Sequence, residues 1–217
     1  MKERPILFSG PMVRAVLDGR KTMTRRGVDP DLAGMLEDGC ASCEQVIETD
    51  ATPMGGLPAM RFCPYGLPGD HLWVRETFAF CDNCGHLNFA ATVNRPRNCL
   101  ACDDFIGPWK PSIFMPRAES RITLGLVDVR VERLQEISED DARAEGAEPY
   151  NGRLGLTLPS GAVDVDSGPY REGFALLWNG LNERRGFPWK RNPWVWVMVF
   201  KAVASADQAP ALAKETP

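Results

Sequence analysis

The chain of 217 residues lacks a run of roughly 18 apolar residues, so no membrane-spanning helix is expected. Its first residues, Met1 to Pro5 before a short strand-like run, lack the apolar core of a secretory signal, and the expected location is the cytoplasm. An excess of positive charge is also missing. Lys and Arg number 25 against 29 Asp and Glu, for a net charge of −4. That excludes a uniformly basic coat for nucleic acid, but not a local patch, because charge can be segregated. Arg14, Arg20, Lys21, Arg25 and Arg26 fall close together, as do Arg184, Arg185, Lys190 and Arg191, while acidic residues gather from Glu136 to Glu148. Two solvated faces are the plainer alternative. Internal repeats and coiled-coil heptads are absent. The seven cysteines are an odd number, and without a secretory signal a metal site explains them better than a disulfide framework.

What is present describes a globular protein. Hydrophobic residues make up 44% and charged residues 25%, enough to bury a real core in one domain with insertions. Pro5 to Phe8 reads as a strand and Met12, Val13, Val16 and Leu17 as one helical stripe ended by Gly19. Residues 27–67 show no sustained period and read as a loop insertion with one short helix near Pro30 to Glu37. Leu72 to Phe80 reads as one strand after the turn Pro68-Gly69-Asp70. In Arg121 to Leu134, Ile122, Leu124 and Leu126 share one parity and Val127, Val129 and Val131 the other, which predicts a β-bulge beside Gly125. Ser138 caps an acidic helix closed by Gly146. Leu154 to Leu158 and Val163 to Val165 read as a hairpin, Arg171 to Arg185 as a helix, and Trp194 to Phe200 as a closing strand. Residues 205–217 read as a disordered tail. The sum is an α+β fold, best fitted by a partly open β-barrel with helices outside.

Cys81-x-x-Cys84 and Cys99-x-x-Cys102 make two close pairs inside an insertion spanning 81–109. Two such turns form the tetrahedral sulfur cage that zinc favours, a ribbon or knuckle. Four thiolates leave no open position, so the metal is structural. Reduced thiols without metal and an iron–sulfur cluster are the alternatives. Cys40 and Cys43 with Cys63 downstream are candidates for a second site, completed by His71 or His86, the only two histidines.

Gly19-Arg20-Lys21-Thr22-Met23-Thr24-Arg25-Arg26 is the other unusual segment. A threonine hydroxyl becomes a nucleophile when a base activates it, and a lysine of lowered pKa can be that base. Arginine can hold phosphate or steady an oxyanion. A charged edge strand is the alternative. The Gly-x-Lys-x-x-Thr-x-Arg pattern, Pro68-Gly69-Asp70-x-Leu72-x-Val74 and the aromatic closing strand resemble the ASCH domain, a branch of the PUA-like barrels. Pro68 to Thr77 and Pro111 to Ile122 further resemble ASCH-domain proteins of phages and prophages, over about residues 4–201. A phage origin would make the location a host cytoplasm.

The resemblance implies a PUA-like (ASCH) barrel whose cleft takes RNA, DNA or a modified nucleobase or nucleoside. One branch comprises amidohydrolases of N4-acetylcytidine that use a lysine, a threonine and a glutamate. Carried over by position, these are Lys21, Thr24 and Glu145, with Glu139 or Glu136 as substitutes for the last. Lys21 would take the Thr24 proton, Thr24 attack the acyl carbon, and Glu145 pass protons to the leaving amine. Arg20, Arg25, Arg26, Arg117 and Arg121 are the candidate contacts to substrate or nucleic acid. The chain departs from that branch in its greater length, its cysteine insertion and the Arg25-Arg26 pair. A pure RNA- or DNA-binding module, with Trp73, Trp109, Trp178, Trp189, Trp194 and Trp196 for stacking though most of them, Trp178 above all, read more simply as core, and a phage assembly protein are the alternative functions.

Overall fold

In Trp194–Val203 the residues Trp196, Met198 and Phe200 are buried on one parity and Val195 and Val197 on the other. A strand apolar on both faces needs cover on both. The computed structural model describes residues 1–37, 59–92, 98–104, 106–150 and 168–203, and in it this strand lies inside a five-stranded sheet. In chain order the elements are β1 (Glu3–Leu7), α1 (Gly10–Leu17), β2 (Met23–Gly27), α2 (Pro30–Glu37), β3 (His71–Arg75), β4 (Phe78–Phe80), β5 (Leu87–Phe89), β6 (Thr123–Arg133), α3 (Glu139–Ala144), α4 (Pro169–Asn182) and β7 (Trp194–Val203). The sheet runs β1-β3-β6-β7-β2; β1 and β3 are parallel, and every other neighbouring pair is antiparallel. On one face Trp196 and Phe200 pack with Ile6, Leu72, Leu124 and the α1 residues Val13 and Val16. On the other, Val195 and Val197 pack with Leu134 and with Phe174 and Trp178 of α4.

The fold is therefore mixed α+β, but among the described residues no ladder joins the edge strands β1 and β2, and the sheet does not close into a barrel. The two edges do come within reach of one side chain: Arg26 Nη2, on β2, donates to the Leu7 carbonyl of β1 at 3.0 Å.

The parity switch in β6 is a bulge. Its register with β7 slips between Leu126 and Asp128, and Val127 is left out of the pairing, 48% exposed. The extra residue keeps Leu124, Leu126, Val129 and Val131 on the same buried face. The expected strand from Leu72 to Phe80 is instead two strands in different sheets. The break falls at Glu76, a buried carboxylate that takes a two-pronged contact from Arg121 at 2.8 and 2.9 Å. From there β4 and β5 form a separate two-stranded sheet. The predicted hairpin at 154–165 and the tail at 205–217 lie outside the described residues.

The Pro68-Gly69-Asp70 turn has a structural task. Asp70 accepts from the Lys2 amide at 2.7 Å, from Arg4 at 3.0 Å and from the Leu67 amide at 3.3 Å, fixing β1 beside β3. These donors, the Lys2 amide foremost, hold the Asp70 carboxyl below its ordinary value of 3.8. A depressed carboxyl stabilises the fold fully above its unfolded value, and that contribution fades as pH falls through the lower folded one. Asp70→Ala is expected to cost about 1–3 kcal/mol at neutral pH. Urea titrations of both proteins across the acid range check this. The gap should narrow on acidification, and a constant gap contradicts the assignment.

Candidate functional site

The site begins where α1 ends. Gly19, with φ 72°, turns the chain back, and the amides of Arg20 and Lys21 both donate to the Ala15 carbonyl, at 2.8 and 2.9 Å. The Lys21 side chain then runs inward and is fully buried. Its Nζ donates three bonds of 2.7 Å, to the Met23 carbonyl, the Glu145 carbonyl and Glu145 Oε2. Glu145 is the C-cap residue of α3, and Gly146 follows with φ 77°. A Cβ on Gly146 would meet Ala15 at 3.0 Å and Lys21 at 3.3 Å, so glycine lets α3 end against α1. The Thr22 amide adds a bond to the Ala144 carbonyl at 2.9 Å.

Burial pushes the Lys21 pKa down; the Glu145 carboxylate opposes this, and Arg26 and Arg25 add to it. All three Nζ protons have an acceptor, and two of the acceptors are carbonyls that cannot donate. Three acceptors suit an ammonium paired with the Glu145 carboxylate. Arg25 is also fully buried and binds Glu132, Asp141 at 2.8 Å and Glu145 Oε1 at 3.4 Å. Arg130 joins the network through Asp128, Glu132 and Asp141. Arg25, expected as a substrate contact, is instead committed to carboxylates.

Thr24 and Arg26 take the opposite parity of β2. Thr24 is fully buried, and its Oγ1 accepts from Arg26 Nη1 at 3.0 Å. The Arg26 guanidinium and Lys21 Nζ both lie against the ring of Phe8, 5.6 and 5.5 Å from its centre. Phe8 and Arg26 in turn line a cleft of ≈ 530 Å³ between β1 and β2, with Ser9, Met12, Tyr65 and Arg75. None of Lys21, Thr24 or Glu145 lines that cleft. They lie beneath it, and Arg26 links Thr24 to it. Lys21 and Glu145, expected to meet, are in direct contact; Lys21 donates none of its bonds to Thr24.

The other expected residues go elsewhere. Arg20 is half-exposed and pairs with Asp18 and Glu148. Arg117 pairs with Glu3 and Arg121 with Glu76, so both brace the sheet and share no partner with the Lys21 cluster. Glu136 accepts from the Arg133 amide, and Glu139 from the amides of Tyr170 and Arg171 at the start of α4; neither replaces Glu145. Of the tryptophans, Trp73, Trp178, Trp189 and Trp196 are core residues. Phe8, Tyr65, Arg75, Glu132 and Asp141 were not singled out from the sequence. Arg75 had a signal in its place in the Pro68 to Thr77 motif, and Asp141 in the acidic run from Glu136 to Glu148.

The Sγ atoms of Cys81, Cys84, Cys99 and Cys102 all lie within 4.8 Å of one another. Three of the separations are 3.4, 3.5 and 3.6 Å. A disulfide would bring two sulfurs to about 2.05 Å, so these are free thiols. Two matching turns present them. The Gly85 amide donates to the Cys81 carbonyl at 2.9 Å and the Asp103 amide to that of Cys99 at 3.0 Å, and Gly85 and Asp103 both have positive φ. Burial opposes ionisation of Cys99, but donors from Ala101 and Asn88 outweigh it and bring that thiol to about 6. Cys102, despite the Asp104 amide, is pushed up to about 12 beside the sulfurs of Cys84, Cys81 and Cys99. Once one sulfur is anionic the next resists, and a cation relieves that repulsion. The cluster can hold a metal ion. Cys63 lies apart, in the main core, and Cys40 and Cys43 lie outside the described residues.

Comparison with protein-family models, with curated proteins and with solved structures finds no match to this chain. No helix among the described residues is long and apolar enough to cross a membrane.

Removing one member of a buried pair strands the other charge. Glu145→Gln is expected to destabilise the protein by about 3–5 kcal/mol, and Lys21→Met/Glu145→Leu by less than the sum of the single changes. Urea unfolding of the parent, Glu145→Gln, Lys21→Met, Glu145→Leu and the double variant measures both. A Glu145→Gln protein within about 0.5 kcal/mol of the parent removes the pair from the fold's support.

Proposed function

We propose that this chain is a PUA-like protein of the ASCH type that binds a modified pyrimidine nucleobase or nucleoside in the cleft between β1 and β2 and hydrolyses its N-acyl group. The observation that carries this is the buried Lys21–Glu145 pair beneath a cleft whose wall, Arg26, touches Thr24. Titratable groups desolvated and paired beside a cleft mark sites of chemistry. Two sheet edges bridged by one side chain support a partly open barrel.

The steps follow from these contacts. Lys21 passes a proton to Glu145 Oε2 along the 2.7 Å contact, which its lowered pKa favours. The neutral amine leaves the Met23 carbonyl and takes the Thr24 proton, while Arg26 releases Oγ1. Oγ1 bonds to the acyl carbon, Arg26 steadies the oxyanion, and the C–N bond breaks as the protonated Glu145 supplies the leaving nitrogen. Water then cleaves the threonine ester: the Glu145 carboxylate takes a proton from the water, and the Lys21 ammonium returns one to Oγ1 as the acid leaves. Full burial of Thr24 and the three occupied protons of Lys21 favour a second reading, a binding module for RNA, DNA or a modified nucleoside without catalysis.

We read the metal of the cysteine cluster as zinc in a structural role. Zinc–sulfur bonds of about 2.3 Å in a tetrahedron place sulfurs about 3.8 Å apart, close to the spacing present. The core around Ala79, Cys81, Cys99 and Ile106 is too small to fold alone, so the ion supplies folding energy there. Elemental analysis is expected to find one zinc per chain, and Cys84→Ser/Cys102→Ser to lose it. Iron with sulfide, or no metal, contradicts zinc.

Incubation with N4-acetylcytidine, followed by chromatography, tests the activity. Release of cytidine is expected, reduced about 100-fold or more in Thr24→Ala. Binding without release selects the second reading.

A further inference from the structure

Many arginines among the described residues are already answered by a carboxylate. Arg4, Arg25, Arg117, Arg121, Arg130 and Arg133 each bind a carboxylate. The cleft between β1 and β2 is different. Three arginines, Arg26, Arg75 and Arg185, line it, and among the described residues no aspartate or glutamate does. None of the three is in an ion pair with a described residue. In a chain with more acidic than basic residues, that is a strong local segregation of charge.

Arg26 gives Nη1 to Thr24 and the Arg25 carbonyl and Nη2 to the Leu7 carbonyl, but Arg75 and Arg185 keep donors unused among the described residues. Arg75 lies over the Trp73 ring at 4.8 Å and gives its Nε to the Met115 carbonyl at 3.1 Å. The guanidinium is thus held in one plane, and among the described residues no acceptor takes its two Nη groups. A planar fork with free Nη groups matches phosphate oxygens. Arg185 is exposed at the opposite wall, after α4, beside Asn182. Thr77 and Ser112 add hydroxyls between them. Burial lowers the Arg26 pKa and the Arg185 charge adds to this, while Tyr65 and Glu145 oppose it. An anion between these cations removes their mutual repulsion.

We propose that this cleft binds the phosphate of a nucleotide through Arg75 and Arg185, with Arg26 at its base, so that the ligand is a nucleoside monophosphate rather than a neutral nucleoside. This rests on the reading of the cleft as a nucleobase site. The cleft's ≈ 530 Å³ suits one such molecule. Phe8, Met12 and Ile113 supply apolar lining for the base, and Arg75 and Arg185 hold the phosphate.

The test titrates the full chain, by calorimetry, with cytidine, cytidine 5′-monophosphate, their N4-acetyl forms and a short single-stranded RNA. The expected result is a monophosphate that binds at least about tenfold more tightly than its nucleoside, the scale of one charge-assisted bond. That advantage should shrink with added salt and vanish in Arg185→Gln and in Arg75→Gln. Arg185 is exposed, so its variant folds. Equal affinity for nucleotide and nucleoside overturns the phosphate assignment and leaves the nucleobase site standing. Binding of none of the compounds overturns both. RNA bound far more tightly than the monophosphate replaces the single nucleotide with a strand.

Discussion

A lysine ammonium with no exposed surface must be neutralised where water does not reach. In this fold Lys21 is that group, and its three acceptors dictate the surroundings. The Glu145 carboxylate and carbonyl must both face it, so α3 has to end there. Gly146 follows because its φ of 77° strains any side chain and a Cβ would crowd Ala15 at 3.0 Å. The other Glu145 oxygen then faces Arg25, which draws in Glu132 and Asp141. Well-packed apolar residues often stabilise a core as well as a buried ion pair does. A network of this kind is therefore weakly explained by stability alone, and its position beneath a cleft supplies another reason for it.

Arg26 couples that network to the outside. The sheet has two unpaired edges, and Arg26 spans them, from Thr24 on β2 to the Leu7 carbonyl on β1. An open edge invites pairing with another chain. Here the gap between the edges is the cleft itself, and the side chain that bridges it carries positive charge. The same feature leaves the two edges without a ladder between them and gives the cleft a positively charged lining.

What could be read from the sequence was mostly local. The parity switch at Leu126 and Val127 revealed the bulge because strand period is a short-range signal. The paired C-x-x-C turns revealed the sulfur cage because each pair is built by its own turn. Lys21 and Glu145 are 124 residues apart, and only a motif resemblance suggested that they meet. Arginine roles were least legible. Sequence displays a charge but not its partner, so Arg117 and Arg121 looked like phosphate contacts when Glu3 and Glu76 already hold them. Arg75 looked ordinary because its unused donors depend on Trp73 and Met115, one in its own strand and one 40 residues on. The single strand read from Leu72 to Phe80 failed for a related reason. Nothing local reveals that Glu76 is buried by a distant arginine.

That break at Glu76 connects the two sites. Arg75 and Thr77 line the cleft, and Glu76 between them points to Arg121. Phe78 then begins the small sheet that leads to Cys81, while the Ala90 amide returns to the Thr77 carbonyl at 3.0 Å. The cysteine cluster therefore fixes the far side of a segment whose near side is the cleft wall. The core beside it, Ala79, Cys81, Cys99 and Ile106, is small, so sulfurs drawn to one centre add support that packing alone supplies weakly. A metal held by these four sulfurs would therefore brace the segment that runs from the cleft wall at Thr77 to Cys81.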